Sequence, residues 1–411
     1  MKKIKRSLCL LLAILMMAGI SVPSNATGLD TSVNTQTENI STGVTGTEST
    51  TTETVVTETL QTATDLSNLT VNQTKVTYYN NVNNIAVVGK EAGIAVFTFS
   101  GLENVFDDSS VKVKISYPDG NILKLERSCD DNQLVFRTKA KYYGKKAGKQ
   151  RVKVTFTNAD KEQKVFNLKV FAYNLKQQTD SCILMAQNRS ATAKLECQKT
   201  TKGGWKTISG KKVAWKSSNN SIATVNNKGK ISTKGKTKTC YVKGSFENYT
   251  YYWAVNVTSR EKVSAIDTAR GIFSTSTYSQ PLRMRQGYYD CSSLVWRSYR
   301  TVGNFLGTSS RATYAPTAAG IARYLEQTGK TVSGGIGYSN TTKGKLQAGD
   351  LLFEGGRANG RYRGVYHVEM FTGYDIAYIK NNGKPVYMNT WASKNDGTYG
   401  YGTAADFVCR P

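Results

Sequence analysis

The sequence predicts a multidomain chain in which two all-β sandwich domains precede a C-terminal α+β domain. Between residues 69 and 259 the chain shows short runs of β-branched and aromatic residues separated by turn residues. Such a pattern, without helical spacing of useful length, is typical of β-sandwiches. From residue 260 onward, helix-like segments come first and strand-like segments follow. That order is typical of an α+β fold.

The N-terminus predicts a secretory signal peptide over residues 1–26. It has a basic start, an apolar run from Leu8 to Ile20, and small residues at Ser24 and Ala26. These are the three parts of a cleavable leader. The apolar run is too short to cross a bilayer comfortably, and no later stretch is more apolar. We therefore expect an exported protein, secreted or associated with the cell wall, without a transmembrane segment.

Residues 27–68 predict a disordered tether. They are mostly Ser, Thr, Asn, Gly and Glu, and they include no basic residue. Such a segment cannot bury enough apolar surface to offset the entropy lost on ordering.

The first β domain is predicted over residues 69–174 as an Ig-like sandwich. The segment Pro118–Asn121 forms a hairpin turn, because Pro fixes one dihedral angle and Gly120 allows the next. The predicted strands are Val76–Tyr79, Ile94–Phe99, Val111–Tyr117, Ile122–Leu125, Val152–Phe156 and Val165–Ala172.

The second β domain is predicted over residues 175–259. Its centre resembles bacterial Ig-like group-two domains, and the resemblance implies a surface spacer or a module that faces carbohydrate. The residues that carry the resemblance are Trp215, Ser217, Ser218, Ala223, Val225, Gly229, Ile231 and Gly235.

The charge of the chain indicates an anionic partner. The formal net charge is +26, and it falls to about +22 when the four basic residues of the signal peptide are removed. An exported protein of this charge is attracted to anionic wall polymers such as teichoic acids, whereas nucleic acid is a poorer candidate. Lys-rich β surfaces also keep proteins soluble, and that alternative stays open.

The cysteines predict little. Outside the signal peptide and apart from Cys291, the chain has five cysteines: Cys129, Cys182, Cys197, Cys240 and Cys409. Five cannot all pair, and only a Cys197–Cys240 disulfide across the second sandwich is a specific candidate. No Cys/His spacing predicts a metal site, and we expect no cofactor.

The C-terminal domain, residues 260–411, contains a candidate nucleophile. Asp290 is a good helix N-cap, and Cys291 follows it in the first turn of a predicted helix. The positive end of the helix dipole favours a thiolate there. Cys291 also shares an apolar helical stripe with Val295 and Tyr299, which is how a core cysteine would lie. The predicted helices are Ser264–Phe273, Cys291–Val302 and Thr317–Gln327.

His367 is the only histidine of the chain, and it lies in a strand-like segment of the same domain as Cys291. A lone histidine is often structural. A Cys-dependent hydrolase, however, needs a base, and imidazole has the side-chain pKa nearest neutral. The two residues together therefore predict a catalytic pair.

Three motifs in order, YDCSSLV, LQAGDLLF and YHVEMFTG, resemble the NlpC/p-sixty family of cell-wall cysteine peptidases. The resemblance implies a papain-like α+β fold. It implies a peptidoglycan hydrolase that cleaves stem peptides, often between D-γ-glutamyl and the diamino acid. It assigns Cys291 as nucleophile and His367 as base, and Asn389 then stands where a third polar residue would orient the imidazole.

The resemblance also implies substrate contacts for Asp290, Ser292 and Tyr278. For Asp290 the alternative is pure capping, and for Tyr278 ordinary packing. Two residues depart from the family pattern: Ser293 replaces a glycine and could narrow the cleft, and Glu369 replaces a small residue. Because side chains alternate along a strand, Glu369 faces the same side as His367.

Two other functions stay open. One is a Cys-His N-acetylmuramoyl-L-alanine amidase, and the other is a non-catalytic wall-binding surface protein. We expect a monomer. We also expect residues 260–411 to bury a core of their own, so that the β domains are dispensable for the chemistry.

Overall fold

The computed structural model describes residues 63–83, 86–88, 92–120, 122–128, 132–332, 346–356, 358–392 and 407–411. The predicted signal peptide and residues 27–62 of the predicted tether lie outside the described residues. Residues Gln61–Pro411 form one compact unit, so the predicted boundaries inside it stay predictions. Among the described residues, no helix is both long and apolar enough to span a membrane.

The N-terminal part of the described chain is made of β-strands. Its strands are Thr70–Val71 (β1), Lys75–Asn81 (β2), Ala86–Val88 (β3), Ile94–Ser100 (β4), Lys112–Ser116 (β5), Leu123–Ser128 (β6), Gln133–Thr138 (β7), Gly148–Thr157 (β8) and Gln163–Gln177 (β9). They form two layers. One is a sheet in the order β1-β4-β7-β6, and the other contains β5, β8, β9 and β2.

Buried residues of both layers join in one core, which makes this part a β-sandwich. Phe99 of β4 packs edge to face on Phe156 of β8, with ring centroids 5.3 Å apart. The core begins earlier than predicted. Leu66 is 4% exposed and belongs to it, and Thr64 Oγ1 donates to Asp108 at 2.8 Å. Residues 63–68 are therefore ordered chain rather than tether.

The middle of the chain continues as strands. They are Cys182–Ala186 (β10), Ser190–Thr192 (β11), Leu195–Gln198 (β12), Lys206–Thr207 (β13), Ala214–Ser217 (β14), Ala223–Val225 (β15), Lys230–Thr233 (β16), Thr239–Phe246 (β17) and Tyr249–Thr258 (β18). Trp215 packs against Trp253, with centroids 5.4 Å apart. Gly229 has φ +78°, and a Cβ there would lie 2.7 Å from the Trp215 ring. Glycine at this motif position therefore makes room for the tryptophan.

The predicted Cys197–Cys240 disulfide is wrong. Cys197 lies on β12 and Cys240 on β17, in different sheets, and both are free thiols. Burial raises the pKa of Cys240 to about 11. All five cysteines within the described residues are free.

The C-terminal part contains the three α-helices of the described chain and a four-stranded antiparallel sheet in the order β23-β22-β21-β24. The helices pack against β22 through one core that includes Ile266, Val295, Ile321 and Val368. Its elements are Arg260–Thr275 (α1), Thr277–Tyr278 (β19), Tyr288–Tyr289 (β20), Cys291–Arg300 (α2), Ala318–Gln327 (α3), Leu351–Glu354 (β21), His367–Ile379 (β22), Pro385–Trp391 (β23) and Phe407–Cys409 (β24).

Asp350 fixes the start of this sheet. It is fully buried, accepts two hydrogen bonds from Arg410, each 2.8 Å long, and lies 3.9 Å from the Lys262 ammonium of α1. The Gly349-Asp350 turn therefore has a structural role, because it ties helix, sheet and C-terminal segment together.

Strand β18 of the middle part lies against β22, and Asn256 connects them. Its side chain is 1% exposed. Nδ2 donates to the Tyr374 carbonyl at 2.8 Å, and Oδ1 accepts from the Tyr374 N–H at 2.8 Å. Gly373 has φ +139°, and a Cβ there would lie 2.8 Å from the Asn256 side chain. The backbone of β22 thus approaches Asn256 closely at this point.

Replacing Asn256 tests this connection. We expect Asn256→Ala to lower the free energy of unfolding by about 2–4 kcal/mol, because it leaves a buried N–H and a buried carbonyl of Tyr374 without this partner. Urea unfolding of the full chain measures the loss. Asn167→Ala, on the exposed side of β9, is the matched control and should change stability by less than about 0.5 kcal/mol. Equal stability of the two variants would contradict the role of Asn256.

Candidate active site

Helix α2 starts at Cys291 because Asp290 caps it. Asp290 Oδ1 accepts the Ser293 N–H at 2.6 Å, and Ser293 Oγ accepts the Asp290 N–H at 2.8 Å. This reciprocal pair is a capping box, which satisfies two backbone donors at once. Ser293 is fully buried. It therefore closes the helix cap, and the expectation that it narrows the cleft is not supported.

A buried arginine holds the cap in place. Arg283 Nη1 lies 3.0 Å from Asp290 Oδ2, and the guanidinium is mostly buried. Arg283 also donates to the carbonyls of Ala315 and Pro316, just before the Thr317 cap of α3. The ion pair thereby joins the starts of the two helices.

The substrate contacts predicted for Asp290 and Ser292 do not match their surroundings. Asp290 is 4% exposed and Ser292 is 2% exposed. The Asp290 carboxylate binds Ser293 and Arg283, and the Ser292 hydroxyl donates to Asp290 at 3.2 Å. Both side chains point into the protein. The capping interpretation of Asp290 is the one that the geometry supports.

Cys291 and His367 come together, as the sequence predicts. Helix α2 packs on β22, so the first residue of the helix meets the first residue of the strand. The thiol and the imidazole lie close together, and the thiol raises the pKa of His367. They are 7% and 6% exposed, which leaves only an edge of each open to solvent.

The imidazole of His367 also contacts Glu369. His367 Nε2 lies 3.3 Å from Glu369 Oε1, and Glu369 is 2% exposed. Burial opposes protonation of His367, but hydrogen bonds to Cys291 and Glu369 and the negative charge of both outweigh it. They raise the pKa of His367 to about 10. The ring is therefore held as an imidazolium at neutral pH.

Asn389 lies far along the sheet from this pair. Its Cα pairs with that of Tyr374 across β22 and β23, which is seven residues along the strand from His367. At about 3.3 Å per residue this is roughly 20 Å. The predicted role of Asn389 as the residue that orients the imidazole is wrong, because the register of the hairpin sets it at the far end of β22.

Tyr278 lies next to the nucleophile, as predicted. Its strand β19 pairs with β20, which ends one residue before the helix cap. The ring packs edge to face on Tyr289, with centroids 5.7 Å apart. Burial and the nearby charges of Cys291 and Asp290 raise the pKa of the Tyr278 hydroxyl. The half-buried hydroxyl lies near the thiol of Cys291.

Two functional residues were missed by the sequence analysis. Glu369 received no definite role, although strand alternation already set it on the side of His367. Arg283 gave no signal, because no local pattern pairs an arginine with an aspartate seven positions later. No group of three or more metal-ligating side chains is present within the described ranges.

Comparisons with known proteins add little. No family model matches the chain, and no curated relative matches it. Among solved structures, it is similar to a C-terminal fragment of intimin at 11% identity, covering 84% of this chain and 99% of that one, with a TM-score of 0.28. It is similar to the bacterial integrin-binding protein invasin at 12% identity, covering 46% and 38% of the two chains, with a TM-score of 0.26. Likenesses this weak carry no argument about fold or function.

The buried ion pair gives a first test of the site. We expect Asp290→Ala to destabilise the full chain by about 3–5 kcal/mol, because it removes the helix cap and leaves Arg283 buried without its carboxylate. Thermal and urea unfolding measure the change. Asp267→Ala is the matched control, since its 3.9 Å pair with Arg270 is solvent-exposed and contributes less than about 1 kcal/mol. A loss no larger than the control's would mean that the ion pair does not hold the site.

Proposed function

We propose that the protein is a secreted peptidoglycan hydrolase that cleaves stem peptides with Cys291 as nucleophile. The observation that carries the proposal is the contact between Cys291, at a capped helix N-terminus, and the only histidine of the chain. The resemblance of the three sequence motifs to NlpC/p-sixty peptidases supplies the substrate class. It also supplies the bond that is cleaved, between D-γ-glutamyl and the diamino acid. The papain-like fold that we propose for the domain rests on the same resemblance.

The chemistry follows from the pair. A thiolate at Cys291 attacks the peptide carbonyl, and the helix N-terminus stabilises negative charge at that point. The His367 imidazolium donates its proton to the leaving amine, and a thioester forms. The neutral imidazole then takes a proton from water, which hydrolyses the thioester and restores the thiolate.

We further propose that Glu369, rather than Asn389, is the third member of the site. It engages Nε2 and so leaves Nδ1 as the ring nitrogen that faces Cys291. A buried carboxylate in this position orients the ring and stabilises the imidazolium, as the third residue of a catalytic triad does.

Replacing the pair tests the nucleophile and the base. We expect Cys291→Ala and His367→Ala each to reduce kcat on purified peptidoglycan by at least about 10³-fold, because the two groups act as a unit. Mass analysis of the released fragments identifies the bond. A free lactyl group on muramic acid would indicate the amidase instead. Undiminished lysis by folded Cys291→Ala would indicate that the activity lies elsewhere.

The role of Glu369 is tested by pH dependence. Glu369 raises the pKa of His367, and the active imidazolium is lost as pH rises through that pKa. We therefore expect Glu369→Gln to move the alkaline limb of the kcat/KM profile on a soluble stem peptide to lower pH and to reduce kcat by about 10–100-fold.

Asn389→Ala is the matched control for Glu369→Gln, and it should leave both the limb and the rate unchanged. An alkaline limb that moves in Asn389→Ala but stays in place in Glu369→Gln would restore the role first predicted for Asn389.

A further inference from the structure

The outer face of the sheet that contains β2, β5, β8 and β9 has only one sign of charge. These four strands contain no aspartate or glutamate. Residues alternate between the sandwich core and solvent along them. The exposed basic residues, here called the basic face, are Lys75, Lys112, Lys114, Lys149, Arg151, Lys153 and Lys169.

The strand register brings these cations side by side. Lys169 of β9 pairs with Lys75 of β2 on one side and with Arg151 of β8 on the other. Like charges directly opposite each other destabilise a sheet. Three cations in one row, with strands about 4.8 Å apart, therefore oppose folding stability unless an anion neutralises them.

The chain supplies little of that neutralisation. Arg151 pairs with Asp119 of the neighbouring turn at 2.7 Å. Among the described residues, no other ion pair involves the basic face. Six ammonium groups thus face solvent without a salt bridge to any described carboxylate.

The opposite layer of the same sandwich is built differently. There Glu126 accepts from Lys124 at 3.2 Å and from Arg137 at 2.9 Å. The mixture of signs on that layer is what a surface needs for solubility alone. The contrast between the two layers argues that the basic face has a partner.

We propose that the basic face binds an extended polyphosphodiester, the backbone chemistry of teichoic-acid-type wall polymers. Cations recur about every 7 Å along β8 at Lys149, Arg151 and Lys153, so a linear polyanion meets several at once. Six of the seven are lysines, whose compact ammonium binds phosphate as a point charge and so needs no fixed bidentate geometry along the polymer. The inference goes beyond the proposed hydrolysis and does not depend on Cys291.

The test uses the full chain with Lys75→Gln, Lys149→Gln, Lys153→Gln and Lys169→Gln combined. The matched control is the same loss of charge on the second β region, with Lys211→Gln, Lys212→Gln, Lys228→Gln and Lys234→Gln combined, all exposed positions. Circular dichroism melting verifies that both variants fold. The probe is poly(glycerol phosphate) of defined length, and poly-L-glutamate is the second arm.

We expect the face variant to bind poly(glycerol phosphate) at least about tenfold more weakly at low salt, with the slope of log Kd against log salt reduced by about 3. The control variant should stay within about threefold of the unmodified chain. If the control variant loses as much affinity for poly(glycerol phosphate) as the face variant, net charge alone attracts the polymer and the proposal is overturned. If poly-L-glutamate binds the unmodified chain as tightly as poly(glycerol phosphate) does, and the face variant loses affinity for both equally, the phosphodiester assignment is overturned.

Measuring the binding in a Cys291→Ala background keeps the two proposals separate. A hydrolysis assay that fails leaves this result unaffected. A polymer that does not bind leaves cleavage of soluble stem peptides unaffected.

Discussion

The position of Cys291, the proposed nucleophile, depends on the buried ion pair between Asp290 and Arg283. A charged pair with this little exposure is stable only because each partner has further hydrogen bonds. The carboxylate accepts the first-turn N–H of α2, and the guanidinium donates to the carbonyls that precede α3. The ion pair therefore fixes the starts of α2 and α3 relative to each other, and Cys291 is the first residue of α2.

Strand β22 connects the candidate active site to the β region that precedes it in the chain. His367 and Glu369 lie at its start, and Asn256 of β18 binds its backbone seven residues later at Tyr374. Close by, Ser181 donates to Asp375 at 2.5 Å. We expected residues 260–411 to be self-sufficient, but these contacts show that the catalytic strand shares buried hydrogen bonds with the preceding β region. A shortened chain would expose them.

The sequence predicted the parts of the fold that local patterns encode. Strand alternation, the Asp290 cap and the three helices were recognisable because each is set by neighbours within a few positions. The helix ends differed by a few residues: α1 runs from Arg260 to Thr275 because Ser259 caps it.

What the sequence could not provide was register. Whether Asn389 lies opposite His367 depends on the length of the turn between β22 and β23, because each added residue shifts every cross-strand pair. Arg283 could not be found for a similar reason, since its partners come from two separate segments, Asp290 and Ala315–Pro316. The disulfide prediction failed because strand patterns do not show which side chains of two sheets face each other, and both thiols are free.

The free thiols described above have a consequence for oxidative damage. An exposed edge of Cys291 can be oxidised to a sulfenic acid, which a reductant returns to the thiol. In a protein cross-linked by disulfides, the same reductant would also break the cross-links that stabilise the fold. Here none of the described cysteines is cross-linked, and burial raises the pKa of Cys240 and Cys409 to about 11. Those thiols are poor nucleophiles. The described part of the scaffold therefore contains no disulfide that this reductant would open.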